Sequence, residues 1–157
     1  MIYELKYLDF VTQNAVYESR FVKHAFDPQS QTLFSYWTTE TPQMSQLDFK
    51  VEMENWLNTS QKFKPLYLFD YCQDFVYPIV EEEQIWMAHL LNPGWIEIGL
   101  KKYAHVVPDE FISNLAVEQM FDEFFNMKLA NQFEIKHFGV SEEEIAANWL
   151  WGKKIML

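Results

Sequence analysis

The run Lys64-Pro-Leu-Tyr-Leu-Phe-Asp70 constrains this chain more than any other stretch. It is short and apolar, opened by a proline and closed by an aspartate, and it lies between two segments of helical period. Such a run reads as a strand buried on both faces. That predicts an α/β domain with a parallel sheet rather than an all-α or all-β fold. The aspartate falls at the carboxyl edge of the strand, where open α/β sheets keep their ligands.

The segments around it extend the pattern. Ile2 to Phe10, with Tyr3, Leu5, Tyr7 and Leu8, reads as a first strand, and Val16 to Phe26 as a second. Asp27-Pro-Gln-Ser30 has the residue types of a turn, and Leu33 to Trp37 runs back as a third strand, making an antiparallel meander. Thr41-Pro42 then starts a helix reaching about Leu57 and burying Met44, Leu47, Val51 and Trp56. Leu66 to Phe69 is the buried strand. A second helix runs from Pro78 to about Leu91, where Asn92-Pro-Gly94 stops it. Its Glu81, Glu82 and Glu83 oppose the helix dipole favourably.

Lys102 to Val107 is the next strand. Asn114 to Leu129 is a third helix, with Ala116, Val117, Met120, Phe121, Phe124 and Met127 on one face. Phe133 to Phe138 is the last strand. Ser141-Glu-Glu-Glu144 reads as a capping box opening a final helix that Gly152 ends, with Lys153 and Lys154 suited to its C-terminus. The expected architecture is one domain over residues 1–157: a mixed, mostly parallel sheet with an antiparallel N-terminal meander and four helices covering both faces.

Composition narrows the function classes. The 157 residues include 14 Phe, 8 Tyr and 6 Trp, ample for one large core and contrary to disorder. The net charge is -11 and Arg20 is the sole arginine, so a nucleic-acid partner is not expected: phosphate recognition needs arginine forks and a basic stripe. An anionic membrane surface would repel the chain, and no apolar run has the roughly 20 residues needed for membrane insertion. Cys72 stands alone, excluding an internal disulfide. The N-terminus lacks a secretory pattern, and the expected location is the cytoplasm.

The candidate site gathers residues at the carboxyl ends of strands: Asp70, Tyr71 and Cys72 after the central strand, with Thr38, Asp109 and His137 at the ends of others. Read functionally, these make a small polar site ringed by helix N-termini, whose free N–H groups suit anions. The competing reading is that Asp70 caps a turn and the rest is ordinary loop. Cys72 as a nucleophile would need a histidine beside it, but His24, His89, His105 and His137 are scattered and in no catalytic signature. No metal site is expected, since no His-x-His or His-x-x-x-His pair occurs. No cofactor is expected either: glycine-rich nucleotide loops are absent.

The turn at Asp27, Trp37 closing a strand, the strand ending in Asp70, Trp86, the run Lys102-Tyr-Ala104-His-Val-Val107, Phe138 and Trp149-Leu150 together resemble the bacterial SpoIIAA-like, STAS-related proteins. The resemblance spans roughly Val16 to Trp151 and implies a regulatory or ligand-binding module without catalysis. In the anti-sigma-factor antagonists of that fold, a phosphorylated serine just after the central aspartate is the switch. Here Asp70-Tyr71-Cys72-Gln73-Asp74 contains no serine or threonine, so that switch is not expected. The leading expectation is a non-enzymatic STAS-like module acting on a protein partner or a small ligand. An apolar-ligand carrier, suggested by the tryptophans, and a small enzyme using Asp70 and Cys72 are the alternatives. A homodimer is left open.

Overall fold

The computed structural model describes residues 5–109 and 132–152. Six strands form one sheet in sequence order: β1 (Ala15–Glu18), β2 (Val22–Asp27), β3 (Thr32–Trp37), β4 (Tyr67–Tyr71), β5 (Lys102–Val107) and β6 (Glu134–Gly139). The pairs β1–β2 and β2–β3 are antiparallel, whereas β3 through β6 run parallel to their neighbours. The described helices are α1 (Lys6–Gln13), α2 (Gln46–Phe63), α3 (Glu81–Glu97) and α4 (Glu143–Trp151). The chain is thus an α/β protein with a mixed sheet, as the buried run Lys64–Asp70 predicts. No helix among the described residues is long and apolar enough to cross a membrane.

Strand order decides where the helices go. With strands added one after another, right-handed crossovers place every crossover helix on the same face. Accordingly α2 and α3 pack side by side on one face, where Phe49, Met53, Trp56, Leu91 and Trp95 cover Val22, Leu33, Leu68 and Tyr103. The opposite face falls to the helices outside the crossovers. There Tyr7 and Val11 of α1 and Ala146, Ala147 and Leu150 of α4 cover Ala25, Phe34, Phe69, Ala104 and Val106.

Five local expectations are corrected. The segment read as one strand from Val16 to Phe26 is two antiparallel strands, β1 and β2, because the chain turns at Ser19, whose Oγ accepts from the amides of Phe21 and Val22 at 3.1 and 3.2 Å. The segment read as a first strand is helix α1 from Lys6 onward. Its alternation at Tyr3, Leu5 and Tyr7 competes with an i, i+4 pair, Tyr7 and Val11, and the exposed face of the sheet needs a helical cover. Thr41-Pro42 forms only a 3₁₀ turn; α2 begins after Ser45, whose side chain and Asp48 make a reciprocal capping box. Met44 and Trp56 are buried as expected, but the buried face of α2 runs through Phe49 and Met53 to Trp56, leaving Leu47 71% and Val51 44% exposed.

Helix α3 does not stop at Asn92-Pro-Gly94. Pro93 removes one backbone bond, yet the helix continues because Trp95 is fully buried among Trp56, Tyr103 and Phe133. Gly94 lets α3 approach α2, since a Cβ there would overlap Cδ1 of Leu57. Ser141 does not cap α4: its hydroxyl and amide turn to Asp109 Oδ1 at 3.3 and 3.2 Å, and Glu142 Oε1 instead accepts from the Gly139 amide at 2.9 Å. The expected helix over 114–129, the Lys153-Lys154 pair and the first residues of the N-terminal segment lie outside the described residues.

The exit of α2 yields a prediction. Lys64 caps it in the left-handed region, at φ 51° and ψ 57°, with its side chain exposed. A β-carbon there costs about 1–2 kcal/mol, more than the extra unfolded-state entropy of glycine. Lys64→Gly is expected to raise stability by about 0.5–1 kcal/mol, read from the urea midpoint at unchanged m-value.

Candidate functional site

On the α2–α3 face the strand registers align two rows. Nearer the amino ends of the parallel strands lies an apolar row, Phe26, Leu33, Leu68, Tyr103 and Ile135. One step toward their carboxyl ends lies a polar row across five strands: His24, Ser35, Asp70, His105 and His137, each the register partner of the next. Side chains two apart on a strand share a face, so the alternation that builds the core also delivers these five groups to one line. Buried polar groups need partners, and here they divide into couples. His24 Nδ1 meets Ser35 Oγ at 2.7 Å, and His105 Nδ1 meets His137 Nδ1 at 3.0 Å.

Asp70 is the hub of the row. Trp37 Nε1 donates to its Oδ1 at 3.0 Å; Tyr103 OH and Cys72 Sγ donate to its Oδ2 at 2.5 and 3.2 Å. Burial pushes its pKa up to about 6, although these three donors pull the other way. The same burial, reinforced by the Asp70 carboxylate, raises the Cys72 thiol well above its ordinary range. Burial also lowers the pKa of both His105 and His137, with His137 adding to the effect on His105. At neutral pH the site therefore holds a carboxylate, a protonated thiol and neutral imidazoles.

A cavity of about 40 Å³ opens beside these groups at the carboxyl end of β4. Asp70, Cys72, His105 and Tyr103 line it from the sheet, Met53 and Trp56 from α2, and Gln84 and Met87 from α3. Trp56 Nε1 is buried and has no acceptor among the described residues. The volume admits a few waters or an ion with its ligands. The expected preference for anions finds no support nearby. The first turn of α3 carries Glu81, Glu82 and Glu83, and Glu83 accepts from Tyr77 OH at 2.7 Å and from the Val80 amide at 3.4 Å. These carboxylates already occupy the dipole that an anion would use.

Of the six residues singled out from sequence, the structure brings Asp70 and Cys72 together and reaches His137 through His105. Tyr71 points to the other face of the sheet and donates to Glu143 Oε2 at 2.5 Å. Thr38 donates to the Arg20 carbonyl at 2.7 Å, and Asp109 serves Ser141; neither lines the cavity. The residues that sequence reasoning missed are His105, Trp37 and Tyr103. A signal existed for His105, a lone histidine inside an apolar strand, but its register against Asp70 is tertiary information.

His24 gives a pH prediction. It is fully buried, and burial lowers its pKa to about 3. Between pH 6.5 and about 3 the unfolded chain takes up a proton that the folded chain refuses. The contribution is therefore complete above 6.5 and is lost on acidification, by about 2 kcal/mol at pH 5. His24→Asn keeps an amide for Ser35 and cannot titrate. Its stability is expected to fall between pH 7 and pH 5 by about 2 kcal/mol less than the wild type's, measured by urea unfolding at both values.

The fold and site thus define a layered α/β protein with a buried carboxylate–thiol–imidazole cluster under two crossover helices. No protein-family model, curated protein or solved structure matches the chain.

Proposed function

We propose that this chain is a non-catalytic, STAS-like binding or regulatory module that takes a small ligand into the cavity beneath α2 and α3. The observation that carries the reading is the polar floor of that cavity: Asp70, Cys72 and His105 converge beneath walls built mostly of aromatic, methionine and isoleucine side chains. A buried carboxylate is costly unless charge and hydrogen bonds offset it, and none of the described ion pairs involves Asp70. Retaining one at a cavity wall argues for a ligand.

The size of the cavity selects the ligand class. Pockets for drug-sized or lipid-like molecules are roughly 300 Å³ or more, against about 40 Å³ here. The reading is therefore of an ion or a molecule of a few heavy atoms rather than a carried lipid. The same groups support nucleophilic catalysis poorly, because Cys72 faces a carboxylate that disfavours its thiolate.

Methyl NMR tests this. Met53 and Met87 stand in the cavity wall, so methionine-labelled protein can be titrated with divalent cations and a set of small polar fragments. Saturable shifts confined to these two methyls are expected for at least one probe. Methyls unmoved by every probe would overturn the reading.

A further inference from the structure

We infer that Cys72 Sγ, a ring nitrogen of His105 and a carboxylate oxygen of Asp70 form a binding site for one zinc-class divalent cation; this rests on the small-ligand reading above. Ligand atoms from the three residues all lie within 4.8 Å of one another. Around a tetrahedral zinc, with bonds of about 2.3 Å to sulfur and 2.0 Å to oxygen, the sulfur and oxygen ligands stand about 3.5 Å apart. Cys72 Sγ and Asp70 Oδ2 stand at 3.2 Å, so little movement is required. The thiol proton between them marks the place the ion takes. Binding forms a thiolate–metal bond and sends that proton to solvent.

Four further features fit a cation. The donor set of one sulfur, one nitrogen and one oxygen suits zinc or cobalt and not calcium or magnesium. Thiolate and carboxylate together balance a divalent ion, leaving a neutral buried site, whereas among the described ion pairs none neutralises Asp70. His105 is braced by His137, Nδ1 to Nδ1 at 3.0 Å. A ring pinned in this way is already oriented, as the imidazoles of metal sites commonly are by a second residue. The cavity beside the cluster has room for a water as fourth ligand. His137 is then a positioning residue. Sequence spacing hides the set because β4 and β5 meet only in the sheet.

The test uses the untagged 157-residue chain stripped with a chelator. Cobalt is expected to bind at one equivalent, with a thiolate-to-cobalt charge-transfer band in the near ultraviolet and the intense visible bands of a tetrahedral site. Cys72→Ser should abolish the charge-transfer band and weaken zinc binding by about 100-fold or more, and His137→Ala by about 10–100-fold. X-ray absorption of the wild-type zinc complex needs no variant to fold; it is expected to show a single sulfur at about 2.3 Å among lighter ligands. A zinc shell without sulfur, a pale octahedral cobalt spectrum, or a charge-transfer band unchanged in Cys72→Ser overturns the inference. If cobalt and zinc do not bind while an organic fragment shifts the Met53 and Met87 methyls, the metal assignment fails and the small-ligand reading stands. If neither occurs, both fail.

Discussion

Trp56→Ala is expected to cost about 3–5 kcal/mol, a large share of the 5–15 kcal/mol that holds a domain of this size. Trp56 is 2% exposed and lies between the two crossover helices and the sheet. Its ring meets Trp95 edge-on at 5.0 Å, Trp37 at 5.7 Å and Tyr103 at 6.0 Å, and stacks on His24 at 6.2 Å. Alanine would empty the junction of four aromatic contacts, and the surrounding rings sit on four different elements, β2, β3, α3 and β5, that cannot all close in. Trp56→Phe separates volume from chemistry. It keeps most of the ring and deletes the indole N–H, which has no acceptor among the described residues and whose burial is itself a cost of about 1–3 kcal/mol. The phenylalanine variant is therefore expected to lose less than about 2 kcal/mol. Guanidinium unfolding of both variants checks this; a phenylalanine variant as unstable as the alanine one would show that the N–H has a partner.

Asp70→Ala is expected to destabilise the metal-free protein by about 2–4 kcal/mol. The substitution leaves Trp37 Nε1 and Tyr103 OH as buried donors without an acceptor, each worth about 1–3 kcal/mol, while the Cys72 thiol, a weak donor, adds little. Against this stands a gain: the carboxylate is itself unwillingly buried, as its raised pKa records, and its removal returns part of that cost. A double-mutant cycle isolates the larger effect. Once Asp70 is gone, Tyr103→Phe removes an orphan instead of breaking a bond. The double variant should be no less stable than Asp70→Ala alone, a coupling of about 1–3 kcal/mol. Strict additivity would mean that the Tyr103–Asp70 bond contributes nothing.

Particular elements show how far the sequence carries. The residues of β5 bound it at Lys102–Val107, and β3 and β4 are legible to within a residue or two, because a strand buried on both faces is a nearly continuous apolar run and needs no neighbour to be recognised. The segment of α1 is ambiguous in the sequence because it is short enough to satisfy both periods, and only the uncovered second face of the sheet selects the helix. α3 outran its Asn92-Pro-Gly94 signal because burial of Trp95 outweighs one lost backbone bond. Leu47 and Val51 are exposed because α2 meets the sheet through Phe49, Met53 and Trp56, a choice made by how the helix docks and not by its own period.

The site divides in the same way. Asp70 and Cys72 are neighbours in the chain, and their place at the end of the central strand is a local fact. Alternation also determines that each polar residue shares a face with the apolar residues two places away. What the sequence alone does not contain is register. Whether His105 stands beside Asp70 or one residue away depends on how β5 pairs with β4, and a slip of one would turn it to the other face. That pairing is decided by the packing of every ring on both faces at once, so the carboxylate, the thiol and the imidazole become a site only in the folded sheet.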